Sequence, residues 1–277
     1  MVSIQNFSFA YRRKSVFREL NLHLDPGHIY GLLGQNGTGK STLLRSLAGF
    51  LFPQGGRIDV LGFEPRRRQP AFLQQVFLLP EEFHLPAISI DNWVRHLAGF
   101  YPRYSHEQFR RNIAGFDIPL EGNMQEMSYG QQKKLLISFA LAINASLLLM
   151  DEPTNGLDIL SKSQFRKVIA GSLDEHQCIL ISTHQVKDLE NLIDRILVIE
   201  AGKILFNQGM DTISQKLTFT LSIDPEQTAQ ALYSESSLKG NALVLPNTYG
   251  EDSRPDLEML YKAVILESQK INRVFKS

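Results

Sequence analysis

The stretch Gly34-Gln35-Asn36-Gly37-Thr38-Gly39-Lys40-Ser41 lies between the apolar run Ile29-Tyr30-Gly31-Leu32-Leu33 and the helix-like Thr42-Leu43-Leu44-Arg45-Ser46-Leu47. It has the form GxxxxGK[ST] and sits where a buried strand turns into a helix, the context in which that form cradles phosphates. The glycines let successive backbone N–H groups turn inward, and the start of the helix adds the positive end of its dipole. Lys40 can then reach the β- and γ-phosphates, and the Ser41 hydroxyl can ligate Mg²⁺. This places a nucleotide on the chain and a strand–loop–helix unit at the centre of its fold.

At 277 residues, with 43% hydrophobic side chains and 29 basic against 29 acidic groups, the chain suits one large α/β domain with an appendage. Balanced charge gives no global field toward nucleic acid or anionic membrane, so no nucleic-acid partner is expected. Arg66-Arg67-Arg68, the one dense basic run, reads as a solvated connector. The start, Met1 to Phe7, lacks a basic segment followed by an apolar one, and the expectation is a cytoplasmic protein. Leu135 to Met150 is interrupted by Ser138, Asn144 and Ser146 and falls short of a bilayer span of about 20 residues. It reads as a buried helix running into a buried strand. Cys178, the single cysteine, lies in an apolar strand pattern and reads as packing.

Val2 to Phe9 and Leu20 to Leu24 alternate apolar and polar residues, which predicts an antiparallel layer. Short strands are expected at Arg57–Leu61 and Gln75–Leu79. From about Phe83 to Met127 the text becomes aromatic and helical, with Trp93, His96, Phe100, Tyr101, Phe109 and Phe116 read as core of a helical insertion. Strands return at Leu147–Met150, Ile179–Ser182, Arg195–Ile199 and Ile204–Phe206, separated by helical stretches, as in a parallel sheet. Beyond Thr212, a strand at Leu217–Leu221, a helix at Pro225–Tyr233, a strand at Ala242–Leu245 and a helix at Leu257–Ile271 capped by Asp256 are expected. That tail is too short for a large core and should dock on the rest.

Leu147 to Met150 ends in the carboxylates Asp151 and Glu152. An acid at such a strand end holds Mg²⁺ in phosphate-loop enzymes, and a second can orient or deprotonate the water that attacks a γ-phosphate. Ser128-Tyr129-Gly130-Gln131-Gln132, before a strong helix pattern, offers an N-cap hydroxyl and free N–H groups, a second anion site. With Asp151-Glu152-Pro153-Thr154-Asn155-Gly156-Leu157-Asp158 following, the set resembles the nucleotide-binding subunit of ATP-binding cassette (ABC) transporters, over about Val2 to Gly209.

The resemblance implies an α/β fold: a P-loop NTPase (RecA-like) core with an antiparallel β-layer, an inserted α-helical subdomain and a small C-terminal α+β tail. The expected units are a cassette at 1–211, with core at 1–82 and 131–211 and helical subdomain at 83–130, and an accessory region at 212–277. It implies ATP bound by Tyr11 on the adenine, by Gly34, Gln35, Asn36, Gly37, Thr38, Gly39, Lys40, Ser41 and Thr42, and by Ser128, Gly130 and Gln131 of a second copy. Mg²⁺ would be held by Ser41, Asp151 and Glu81. Glu152, His184 and Glu81 would serve catalysis, and Asp158 would link the two sites of a dimer.

Two departures stand out. The glutamine expected after the strand Val76 to Leu79 is Glu81, which adds a charge beside the γ-phosphate of about 4 kcal/mol at 4 Å and an effective dielectric near 20. Altered Mg²⁺ dependence is expected, not inactivity. The first glycine of the signature is Tyr129, whose side chain restricts positive φ, so somewhat different geometry is expected there.

The resemblance further implies an ATP-hydrolysing subunit that pairs with a second cassette, homodimer or heterodimer, and drives a separate integral membrane permease from the inner face of the membrane, with exporter-like character. The partner's helix would be received near Glu81 to His84. The alternative is a soluble cassette ATPase acting on ribosomes, DNA or assembly. A GTPase switch is disfavoured because Asn191-Leu192-Ile193-Asp194 lacks the lysine of a base-reading NKxD element.

Overall fold

The computed structural model describes residues 1–119, 123–172, 174–248, 250 and 253–276. Of the expected helical subdomain, residues 120–122 lie outside the described residues, as do 249, 251, 252 and 277 of the expected tail.

Strands β1 (Val2–Tyr11) and β2 (Lys14–Leu24) form an antiparallel hairpin, and β3 (His28–Leu33) runs into helix α1 (Lys40–Leu47) through the glycine-rich loop. β4 (Gly55–Val60), the short α2 (Pro70–Leu73) and β5 (Val76–Leu79) follow. The helices α3 (Ile90–Ala98) and α4 (His106–Gly115) precede α5 (Tyr129–Ala142), β6 (Leu147–Asp151), α6 (Ile159–Ala170) and β7 (Cys178–Thr183). β8 (Arg195–Glu200) and β9 (Lys203–Gly209) complete the main sheet, after which come α7 (Met210–Lys216), β10 (Leu217–Ser222), α8 (Pro225–Gln230), β11 (Tyr233–Ser237), β12 (Gly240–Pro246) and α9 (Leu257–Lys276).

The main sheet has the order β5-β6-β7-β3-β8-β9, parallel except for the antiparallel edge β9. β3, β6 and β7 lie inside it with layers on both faces, which explains their unbroken apolar text. Because side chains alternate across a strand, Ile29, Leu33, Leu148, Met150, Ile179 and Ile181 pack with α5, α6 and the helical insertion. Tyr30, Leu32, Leu147, Leu149, Cys178 and Leu180 pack on the other side with α1 and the antiparallel layer β2-β1-β4. The α/β class with an antiparallel layer is as the sequence indicates.

In β1 the apolar positions are Val2 and Ile4, then Phe7 and Phe9, a period-2 pattern with one residue inserted. The structure absorbs the insertion as a bulge: the register shifts between Ile4 and Phe7, and Asn6 takes φ 51°. α5 is buried nearly all round, as its apolar composition requires. Its Phe139 meets Trp93 at 4.8 Å and Phe77, Tyr101, Tyr104 and Phe109 at 5.8–6.4 Å, which ties the helical insertion to the sheet. Truncating Phe139 to alanine would cost about 3–5 kcal/mol. Trp93, Phe109 and Phe116 are core as expected, whereas His96 and Phe100 are exposed.

The tail differs in detail from the sequence reading. The helix expected over Pro225–Tyr233 stops at Gln230, and Tyr233 opens β11, which completes the sheet β10-β12-β11. The terminal helix reaches past Ile271 to Lys276 with a kink at Glu267 (φ −129°, ψ 37°), and its first turn is capped by Asp256 accepting from the Met259 amide at 2.9 Å. α9 docks on β8 and β9 through buried Leu260, Val264 and Ile271 and through Phe275, edge-on to Phe206 at 5.2 Å. No helix among the described residues is long and apolar enough to cross a membrane.

Candidate functional site

The phosphate loop takes its shape from two glycines. Gly37 has φ 83° and Gly39 φ 111°, conformations that L side chains avoid. A Cβ on Gly39 would also meet the buried Phe17 ring at 2.8 Å, and one on Gly34 would meet the Ile199 carbonyl oxygen at 2.6 Å. The first helical hydrogen bond of α1 runs from the Leu43 amide to the Gly39 carbonyl, 2.9 Å, and no side chain caps the helix. The amides of Lys40, Ser41 and Thr42 therefore remain for an anion. Lys40 folds back over the loop, donating to the Gly34 carbonyl at 2.7 Å and the Gln35 carbonyl at 3.2 Å, while Thr38 Oγ1 donates to Gln35 at 2.8 Å.

Opposite the loop, β6 delivers two acids. Asp151 is buried and accepts from Ser182 Oγ at 2.5 Å. Glu152 leaves the strand with φ 45°, a left-handed conformation that costs a side-chain-bearing residue on the order of 1–3 kcal/mol and is typical of functional sites. Its amide donates to the Ser182 carbonyl at 3.0 Å. Its carboxylate is 5% exposed in residue terms, with Oε1 2.9 Å from His184 Nδ1 and 3.5 Å from Lys40 Nζ, and Oε2 accepting from the His184 amide at 3.3 Å. The segment after His184 is braced by Lys162, which donates to Gln185 at 3.0 Å and pairs with Asp188 at 2.7 Å, and by Lys187 paired with Glu258 of α9 at 2.9 Å.

Glu81 reaches the same cleft from the end of β5. Its Oε1 accepts from Asn155 Nδ2 at 2.9 Å and its backbone oxygen from the Tyr129 hydroxyl at 3.1 Å. The cleft, about 390 Å³, is lined by Tyr11 at the end of β1, by Asn36, Gly37, Gly39, Lys40, Ser41 and Thr42, and by Glu81 and Glu152. Gly34, Gln35 and Thr38 hold the loop from behind through the bonds just given. Mg²⁺ takes one or two protein oxygens and completes its shell with water and phosphate. Ser41 and Asp151 are donors of that kind, and no group of three or more His, Cys, Asp or Glu side chains able to hold an ion exists among the described residues.

Ser128, Gly130 and Gln131 are not among the residues lining this cleft. Ser128 caps α5 in a reciprocal box, its Oγ accepting from the Gln131 amide at 3.3 Å and its own amide donating to Gln131 Oε1 at 2.9 Å. Tyr129 is the first helical residue and not a positive-φ position, so the geometric penalty expected for replacing a glycine there does not arise. Its ring stacks on Phe83 at 5.2 Å. Asp158 caps α6, accepting from the Ser161 amide at 2.7 Å, and that bond holds its carboxyl below the usual carboxylate range.

Three participants escaped the sequence reading: Ser182 and Asn155, which hold Asp151 and Glu81, and Lys133. Lys133 is fully buried and donates to the carbonyls of Glu152 and Asn155. A lysine two residues before the apolar run Leu135-Leu136-Ile137 was the only signal. An apolar groove of about 470 Å³ lies between α1, β5 and α3, lined by Phe50, Arg68, Phe77, Leu97, Phe100 and Tyr101. Arg66 and Arg67 pair with Glu64, and Arg68 donates to the Gly49 carbonyl at 2.8 Å, which accounts for the basic run as a connector.

A parallel sheet, an uncapped helix start behind a glycine loop and a buried carboxylate facing the lysine define a phosphate-loop nucleotide-binding protein. The family model described as ABC transporter matches residues 17–155. An uncharacterized ABC transporter ATP-binding protein of Methanocaldococcus jannaschii is 28% identical over 80% of this chain and 83% of its own. The lantibiotic transport ATP-binding protein SrtF of Streptococcus pyogenes is 29% identical over 76% of this chain and 92% of its own. The solved structure of an ATP binding subunit of an ABC transporter shares the fold, with TM-score 0.69 at 24% identity over 77% of this chain and 91% of that one. The chain belongs to the ABC transporter family, as an ATP-binding subunit.

Proposed function

We propose that this chain hydrolyses ATP as one half of a two-cassette motor that drives a separate membrane permease. The observation that carries the reading is Glu152, a buried carboxylate held between His184 and Lys40 at the mouth of the phosphate loop. The amides of α1 and Lys40 bind the β- and γ-phosphates, and Tyr11, 44% exposed, offers a face for the adenine. Bound Mg²⁺, on Ser41 and Asp151 with Glu81 beside it, would neutralise charge on the phosphates. Glu152 orients the attacking water and takes its proton, and His184 fixes the carboxylate that does so. Ser128, Gly130 and Gln131 lie away from this cleft, so they serve the nucleotide of a second copy. ATP is then shared by two chains, and its hydrolysis loosens them.

The groove at Phe50 and Phe100 suits an apolar helix of the permease and supports a position at the inner face of the membrane. The lantibiotic relative is a transport protein by name, in keeping with such a partner. Affinity purification from detergent-solubilised cells is expected to retain a polytopic membrane protein, and the complex is expected to release phosphate from ATP. Recovery of the chain with ribosomes or DNA and no membrane protein would overturn the coupling.

A further inference from the structure

Lys133 is an ammonium with no access to water, and the surroundings explain why it is tolerated. It donates to the Glu152 carbonyl at 2.8 Å and to the Asn155 carbonyl at 2.9 Å. The Asn155 side chain in turn donates to the Glu81 carboxylate at 2.9 Å. Tyr129, one turn before Lys133 on α5, sets its ring 5.7 Å from the ammonium and its hydroxyl on the Glu81 backbone oxygen. The contacts close a ring through Lys133, Asn155, Glu81 and Tyr129.

We propose that Lys133 is a positioning residue matched to Glu81: it fixes the left-handed main chain at Glu152 and supplies the counter-charge that a carboxylate at position 81 requires. The role in turnover rests on the proposed hydrolytic function of Glu152. Burial lowers the Lys133 pKa to about 8, and the charges of Glu81, Glu152 and Asp151 oppose that fall, Glu81 most. Lys40 is the other lysine on Glu152, but its task is the phosphates, and it must turn toward them when nucleotide arrives. Lys133 cannot follow, because both carbonyls that hold it belong to the acidic loop itself. A neutral donor could serve those carbonyls equally well. The charge answers Glu81, the position where this chain carries an acid in place of an amide.

The test is a double-mutant cycle on the full chain with Glu81→Gln, Lys133→Gln and the pair together. Two readouts are taken: thermal melting without nucleotide, and kcat and KM for ATP alongside affinity for a fluorescent ATP analogue. Lys133→Gln is expected to lower kcat about 10-fold or more while affinity for the analogue stays within about threefold, and adding Glu81→Gln is expected to recover most of that loss. The pair should likewise melt higher than Lys133→Gln alone. Additive effects in both readouts overturn the charge match, and so does failure of both Lys133→Gln and the pair to fold. Unchanged kcat in Lys133→Gln overturns the positioning role. A wild-type chain, paired with its permease, that releases no phosphate overturns the proposed hydrolysis instead, and the melting cycle still decides the charge match.

Discussion

Gly37 and Gly39 both have positive φ, yet the structure assigns them different burdens. At Gly39, φ is 111° and an added Cβ would lie 2.8 and 2.9 Å from Cε1 and Cζ of Phe17 and 3.1 Å from Cγ1 of Val16. Phe17 is 1% exposed and cannot step aside. Left-handed strain costs about 1–2 kcal/mol and overpacking a filled core about 1–3 kcal/mol, so Gly39→Ala should lose about 2–5 kcal/mol. That is a large share of the roughly 5–15 kcal/mol that holds a domain together. At Gly37, φ is 83° and a Cβ meets nothing within 4 Å, so Gly37→Ala should cost only the strain, about 1–2 kcal/mol. Its methyl would project at the cleft that the phosphates enter, and nucleotide affinity should fall sharply. Urea denaturation of the two variants, paired with titration by a fluorescent ATP analogue, separates the effects. Equal destabilisation by the two, or a Gly37→Ala chain that binds nucleotide normally, would refute the reasoning.

Glu81→Gln removes a carboxylate from the cleft and should change the Mg²⁺ concentration needed for half-maximal ATP hydrolysis; an unchanged Mg²⁺ profile contradicts a place for Glu81 beside the metal. Phe100→Asp, on the exposed lip of the groove, should abolish retention of the permease while leaving nucleotide affinity intact, as a pull-down beside an ATP-analogue titration will show. The Cys178 thiol, fully buried and pushed up to about 12 by desolvation, should resist iodoacetamide at pH 8 in the native chain and react once urea unfolds it, read by mass spectrometry. Rapid native alkylation would place β7 nearer the surface than it is described.

The phosphate loop, the buried strands and the acidic strand end were legible because local chemistry fixes them: only a glycine serves at φ 111°, and only a covered strand tolerates unbroken apolar text. Ser128 was legible for the same reason, since S-x-x-Q before a helix is the capping box that forms. β11 was not, because Tyr233 to Ser237 carries no apolar alternation and is a strand only through its pairing with β12. Tyr129 misled because its place in a glycine-bearing motif suggested an unusual backbone, whereas the chain there is simply helical. Lys133 was invisible because a lysine counts as polar in any hydropathy pattern, and its burial depends on carbonyls supplied about 20 residues later by the Glu152 loop. The groove required β5, α1 and α3 to be brought together, which no local signal encodes.

The central claim is that this cleft is half of a composite site, able to bind ATP alone and to hydrolyse it only when paired. Analytical ultracentrifugation of the Glu152→Gln chain with ATP and Mg²⁺, beside phosphate release by the wild-type chain across a dilution series, tests it most directly. The account predicts a species of twice the monomer mass with ATP and a specific activity that falls as the wild-type chain is diluted. Full turnover by a strictly monomeric wild-type chain would contradict it.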